Sequence, residues 1–175
     1  MKKLVYSLLL TLGIFAIIVT CLEVFSSYTM SESINKEAPV TTYQEITINA
    51  PAQKVYQIMS DIDHWEDWHS DVKDPKLNGV FKKGSTFDWK SGGLTIHSTL
   101  HTVQPRHKIG WSGKAFGAFA IHNWSFTEHN GITTVKVEES MEGWLVSLMR
   151  STFQKGLKSS LQIWLRNLKA KSEEK

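Results

Sequence analysis

Asn130-Gly131 constrains this chain more tightly than any other pair of residues in it. An Asn-Gly two-residue loop favours a type I′ turn with positive φ at both residues, and such a loop fixes which residues face each other across the hairpin. The flanks alternate apolar and polar, AFAIHNWSFTEH before the loop and ITTVKVEESM after it. Counting outward pairs His129 with Ile132, Phe126 with Val135, Trp124 with Val137 and His122 with Glu139. Side chains alternate with period two, so all of these share one face. The other face carries Asn123, Ser125 and Thr127 against Thr134, Lys136 and Glu138, and is the wet side. His122 and Glu139 are therefore expected as opposed neighbours on the face that the apolar residues bury.

The same count around Gly92-Gly93 pairs Trp89 with Ile96 and Phe87 with Ser98, and sends Asp88, His97 and Thr99 outward. Ile109 and Trp111 share a face in KIGWSG. Upstream, Thr42–Ala50 alternates as a strand. Asn49 is expected to cap a helix with Pro51 in its first turn, where a missing N–H costs nothing. That helix carries Val55, Ile58, Met59 and Ile62 at helical spacing, and Trp65 and Trp68 follow on a short second helix expected to close one end of the sheet, or to act as a lid over the entrance to the interior. At the far end, Trp144–Lys171 reads as one amphipathic helix with its stripe at Leu145, Met149, Phe153, Leu157, Leu161, Trp164 and Leu168. The order of elements is β-α-α-β-β-β-β-β-β-α, an α+β chain with an antiparallel sheet and a long helix laid on one face.

Strong curvature of such a sheet would leave a cavity under the helix. Its expected lining is Phe87, Trp89, Ile96, Ser98, Leu100, Trp111, His122, Trp124 and Glu139, closed by Phe153, Leu157 and Leu161 of the helix. An aromatic wall with a few polar groups is the usual make-up of a small-molecule site. With seven Trp, eight Phe and four Tyr, the chain is well supplied for it.

The N-terminus obeys a different rule. Lys2 and Lys3 precede an uncharged apolar run from Leu4 to Leu22, close to the roughly 20 residues that span a bilayer as a helix. Leading lysines predict a cytoplasmic N-terminus, with the rest on the exported side of the cytoplasmic membrane as a single-pass protein. Cleavage after Ser26, with Val24 and Ser26 as the small residues, is the alternative and would give a secreted or periplasmic protein. Acylation at Cys21 fits less well, because Thr20 stands where such signals carry Gly, Ala or Ser. The division expected is residues 1–26 as anchor or signal, 27–42 as a polar linker, 43–171 as the working domain and 172–175 as a polar tail. Cys21 is the only cysteine, so the fold must stand without an internal disulfide.

Taken in order, ITINAPAQKVYQIMSDIDHWEDWHSDV, LNGVFKKGSTFDWKSGG, VQPRHKIGWSG, HNWSFTEHNGITTVKVEE, MEG and the final helix resemble the START-like, polyketide cyclase/dehydrase-type SRPBCC proteins. The resemblance spans roughly residues 43–171. It implies a helix-grip (START/Bet v 1-like) fold: a curved seven-stranded antiparallel sheet wrapped around the C-terminal helix, with a hydrophobic ligand cavity. The family holds lipid, sterol and quinone binders, hormone receptors, aromatic cyclases and hydratases, and has no universal catalytic residue to carry over.

Some function classes fall away. The net charge of +3 is mild and the lysines and arginines are dispersed, so nucleic acid is not an expected partner. No H-E-x-x-H spacing occurs; His64 and His69 fall on an expected surface helix and His97 and His101 on the outer face, so neither a metal nor another cofactor is expected. The leading expectation is a membrane-tethered binder of a hydrophobic or lipid-like small molecule. A cyclase, dehydratase or hydratase using His122 as general acid/base and Glu139 to hold it is the alternative. A non-catalytic envelope interaction module would instead need a filled interior, with His122 and Glu139 only pinning the hairpin.

Overall fold

A computed structural model describes residues 2–174. Its elements are α1 (Lys2–Phe25), β1 (Val40–Ile48), α2 (Ala52–Ser60), a 3₁₀ turn (Ile62–Asp67), β2 (Lys73–Asn78), β3 (Thr86–Ser91), β4 (Leu94–Gln104), β5 (Lys108–Ala115), β6 (Ala118–His129), β7 (Ile132–Glu142), α3 (Trp144–Leu148) and α4 (Arg150–Glu173). The strands form one antiparallel seven-stranded sheet in the order β1-β7-β6-β5-β4-β3-β2. The order is a hairpin meander with the first strand added against the last. Bulges in β4 between Leu100 and Thr102 and in β2 between Lys73 and Lys76 bend the sheet around α4.

Asn130 and Gly131 both take positive φ, 51° and 76°, as a type I′ loop requires. The register follows: Phe126 pairs with Val135, Trp124 with Val137 and His122 with Glu139. Trp89 pairs with Ile96 and Phe87 with Ser98 across the Gly92-Gly93 turn.

Trp65 sits at the centre of the core with no exposed surface. Its ring meets Phe87 at 5.5 Å, Trp111 at 5.6 Å and Trp164 at 5.1 Å between centroids, and its indole N–H donates to the Met59 carbonyl at 3.0 Å. Aromatic pairs of this kind add about 0.5–1.5 kcal/mol each beyond their area. So Trp65 is neither a lid nor an end-cap; the 3₁₀ turn drives it into the grip, and it fills that half of the interior.

Several local expectations change. Asn49 does not cap α2. Pro51 occupies the cap position without a side-chain bond, and the Ala52 amide donates instead to the Glu128 carboxylate at 2.8 Å. A carboxylate at a helix N-terminus satisfies the amide and the dipole together, so the distant Glu128 replaces the local cap. His69 is not on a surface helix either. It is 1% exposed, with its ring centroid 4.2 Å from that of Trp164, and burial holds its pKa below the ordinary value.

The last helix is two. Leu145 donates its amide to the Gly117 carbonyl at 3.0 Å, pinning α3 to the β5–β6 tip, and the chain turns at Met149 (φ −116°, ψ 34°) before α4 crosses the sheet. Finally, the polar stretch before β1 does not hang free. Tyr28 stacks on Phe119 at 5.1 Å, the Asn35 side chain donates to Glu142 at 2.6 Å, and the Asn123 side chain donates to the Glu32 carbonyl at 3.0 Å. This strap covers outward-facing Phe119, and its neighbours Ile121 and His101 on that face are buried as well. Gly110 leaves room for the imidazole of His101, since a Cβ there would run into its Cε1.

Candidate functional site

Rows of side chains cross the inner face of the sheet. One runs Trp111, His122, Glu139 and Thr42; the next, one pleat nearer the β5–β6 tip, runs Gly113, Ala120 and Met141. The second row is small, and α4 answers it with Gly156 and Ser160. Where Trp65 fills the grip on one side, these short side chains leave it open on the other. The result is a cavity of about 380 Å³ running from a buried floor of Trp111, Trp124 and Trp164 to an exposed rim at Gly92, Leu94, Thr152 and Gly156. That volume lies in the range that encloses one small molecule.

The floor carries the polar groups. His122 stacks on Trp111, ring centroids 4.9 Å apart and 18° from parallel. Its Nδ1 lies 2.7 Å from Oε2 of Glu139, with side-chain exposures of 12% and 3%. The contact is close but not aligned as a hydrogen bond, so Oε2 has no hydrogen-bond donor among the described residues. The indole nitrogens of Trp111 and Trp124 also lack a protein partner. Buried polar atoms in proteins are normally paired, and the two indole nitrogens of this floor are not.

The structure brings Trp89, Ile96, Trp111, His122, Trp124 and Glu139 of the sheet, and Phe153, Leu157 and Leu161 of α4, around this cavity. It does not bring Phe87, Ser98 and Leu100 there. Phe87 is packed edge-on to Trp65, Ser98 accepts the Trp89 indole N–H at 3.1 Å, and Leu100 is wholly buried in the core. Trp164, Ala118, Ala120 and Met141 were missed. Trp164 lies one helical turn beyond Leu161 on the same stripe, and Ala118 and Ala120 share the parity of His122, so simple extension of both periods reaches them.

Among the described residues no three His, Cys, Asp or Glu side chains gather as a metal set. His97 and His101 are four apart, but on a strand four residues span about 13 Å rather than one helical turn. His97 instead contacts Asp88 at 2.5 Å, and His101 is buried under the strap, where loss of solvent depresses its pKa. A second hollow of about 400 Å³ on the outer face is lined mainly by polar and charged residues such as Lys108, Lys136 and Glu138, with Tyr43 and Ile109 among them.

The rim of the inner cavity adjoins the end of α1. Glu23 Oε2 accepts from the Gly117 amide at 2.9 Å and from the Trp144 indole N–H at 3.1 Å, and Lys114 Nζ lies 3.8 Å from Oε1. Gly117 lies between Ala115 and Ala118, which line the cavity. Around this junction Phe116, Leu148 and Met149 are exposed, and Phe116 packs edge-on to Trp144.

Comparison with known proteins agrees with the fold. The family model for polyketide cyclase/dehydrase and lipid transport proteins matches residues 39–173. Among solved structures, a hypothetical protein from Helicobacter pylori is similar over 85% of this chain and all of its own, at 18% identity and a TM-score of 0.71. A START superfamily protein from Mycobacterium smegmatis is similar over 76% of this chain and 97% of its own, at 14% identity and a TM-score of 0.66. An aromatase/cyclase from a Streptomyces species is similar over 76% and 93%, at 12% identity and a TM-score of 0.68. No curated protein sequence matches the chain.

Proposed function

Because the chain belongs to the polyketide cyclase/dehydrase and lipid transport family, we propose that it binds a hydrophobic or lipid-like small molecule in the cavity between α4 and the sheet. One observation carries this reading: the cavity joins an exposed rim to a tryptophan floor that holds the buried pair His122 and Glu139, 2.7 Å apart. A purely structural grip would fill that space, as Trp65 fills the other half. Native mass spectrometry of the full chain released from detergent tests it. A mass excess that disappears in a variant with a blocked cavity supports binding. An apoprotein mass from every preparation, with no thermal shift across lipids and quinones, would sink it.

Membrane tethering by α1 belongs to the same proposal. The helix has 24 residues, none buried in the protein, and its apolar surface needs another medium. With Glu23 fastened to Gly117 and Trp144, a bilayer holding α1 would lie against the rim, where Phe116, Leu148 and Met149 are exposed. The bound molecule would then enter from the membrane. Carbonate extraction of cell membranes tests retention: release of the chain with its N-terminus removed favours cleavage after Ser26.

A second reading is favoured by one contact. His122 Nδ1 at 2.7 Å from Glu139 is an imidazole held by a carboxylate beside open space, an arrangement suited to moving a proton in cyclisation or dehydration. His122→Ala and Glu139→Ala would each abolish turnover of a cyclase or hydratase substrate while the chain stays folded. Loss of stability alone in both would leave only a structural pair.

A further inference from the structure

Resting on the cavity reading above, we infer that the molecule taken up is a neutral hydrophobic alcohol or phenol, held with its hydroxyl inward against His122 and Glu139. Its chemical class follows from what the cavity wall lacks. Among the described residues no lysine or arginine lines it, and the one carboxylate there, Glu139, is 2% exposed. A fatty-acid carboxylate or a phosphate brought to that floor would meet a like charge out of water, with a single imidazole as its only possible counter-charge.

An ammonium head would match Glu139 in charge, but taking it out of water onto a floor of Trp111, Trp124 and Trp164 costs about as much as that pairing returns, and it has no lone pair with which to accept from an N–H. A hydroxyl both donates and accepts. Its one proton answers either the Glu139 carboxylate or an unprotonated Nε2 of His122, and its lone pairs accept where Nε2 carries the proton, since Nδ1 already faces Glu139. This holds whichever tautomer the ring adopts. The rest of the molecule must be apolar, because the wall beyond the pair is Trp111, Trp124, Trp164 and Leu161 and the rim carries Leu94 and Gly156. The head lies inward because the polar pair is on the floor and the apolar rim is at the opening.

The test is a matched set of small arenes that differ only in the head: 2-naphthol, 2-naphthoate and (2-naphthylmethyl)ammonium. Each is titrated calorimetrically at pH 7 into the full chain in nanodiscs, with protein-free nanodiscs subtracted. Naphthol should bind at least about tenfold more tightly than either charged analogue. In Glu139→Gln the gap between naphthol and naphthoate should shrink to within about threefold, because the repelling charge is gone while a polar amide remains. Where that variant does not fold, the ratio in the unaltered chain alone decides. Naphthoate or the ammonium binding as well as naphthol would overturn the inference and leave the cavity reading standing. Heat from none of the three would overturn both.

Discussion

Glu23 and Gly117 are joined by a 2.9 Å hydrogen bond from the Gly117 amide to the Glu23 carboxylate, linking the end of α1 to the tip of the β5–β6 hairpin. Without that acceptor the tip should open more often. In Glu23→Ala the Gly117 amide should exchange about five- to tenfold faster, the loss of one hydrogen bond of about 1 kcal/mol. Residue-resolved hydrogen exchange on the full chain in nanodiscs checks this. Unchanged exchange would mean that the end of α1 does not hold the rim.

Trp65 is wholly buried at the centre of the grip. Trp65→Ala should cost about 3–5 kcal/mol, read from the urea midpoint, since it removes a wholly buried indole together with its bond to the Met59 carbonyl. Trp65→Phe should cost clearly less. A loss below about 1 kcal/mol for the alanine variant would contradict the packing described.

Gly156 separates stability from uptake. A Cβ at this position of α4 meets nothing within 4 Å, yet the residue lines the cavity. Gly156→Leu should stabilise the fold by about 0.5–1 kcal/mol through helix propensity. The same leucine occupies space that a bound molecule needs, and affinity should fall about tenfold or more. Thermal denaturation and calorimetry on one preparation read both. A variant that gains stability and keeps full affinity would remove the cavity from the binding site.

Acid should weaken the fold through two buried histidines. Burial lowers the pKa of His69 and His101 below the ordinary 6.5. Between the lowered value and 6.5 the unfolded chain binds protons that the folded chain does not, so stability rises with pH across that window and is lost as pH falls through it. The charged groups that act on His101 are Glu32 and Lys83 and, from the other face of the sheet, His122; on His69 it is Asp71. His64, raised by Asp61, works in the opposite direction, but it is exposed and screened by solvent. His69→Phe should flatten the slope of stability against pH below 6.5, measured as urea midpoints. An unchanged slope would show that His69 does not contribute to it.

What the sequence disclosed divides along physical lines. The register of β6 and β7 was legible because Asn130-Gly131 is local and side chains alternate strictly, and from it came the pairing of His122 with Glu139 and the place of Trp124 beside them. Trp65 was not legible as a core plug. A six-residue 3₁₀ turn has too little periodicity to show which way its side chains point. Leu100 and Phe87 were placed on the correct face but assigned to open space, since parity says which face is inner and nothing about which part of it is already filled. The strap was missed for a similar reason. Its polar composition reads as linker, and the signal lay elsewhere, in Phe119 and Ile121 standing apolar on an otherwise wet face. The Glu128 cap of α2 spans 76 positions and leaves no local trace.

Six of the seven tryptophans form one connected cluster, with Trp111 and Trp124 nearly parallel at 6.3 Å and Trp164 touching four others. The seventh, Trp144, stands at the rim against Phe116. Indoles this close share their excitation, so anything that reaches the floor perturbs near-ultraviolet emission and circular dichroism as a group, while the rim indole answers separately. The protein thereby carries two built-in optical reporters, one at the floor and one at the rim, and neither requires a label.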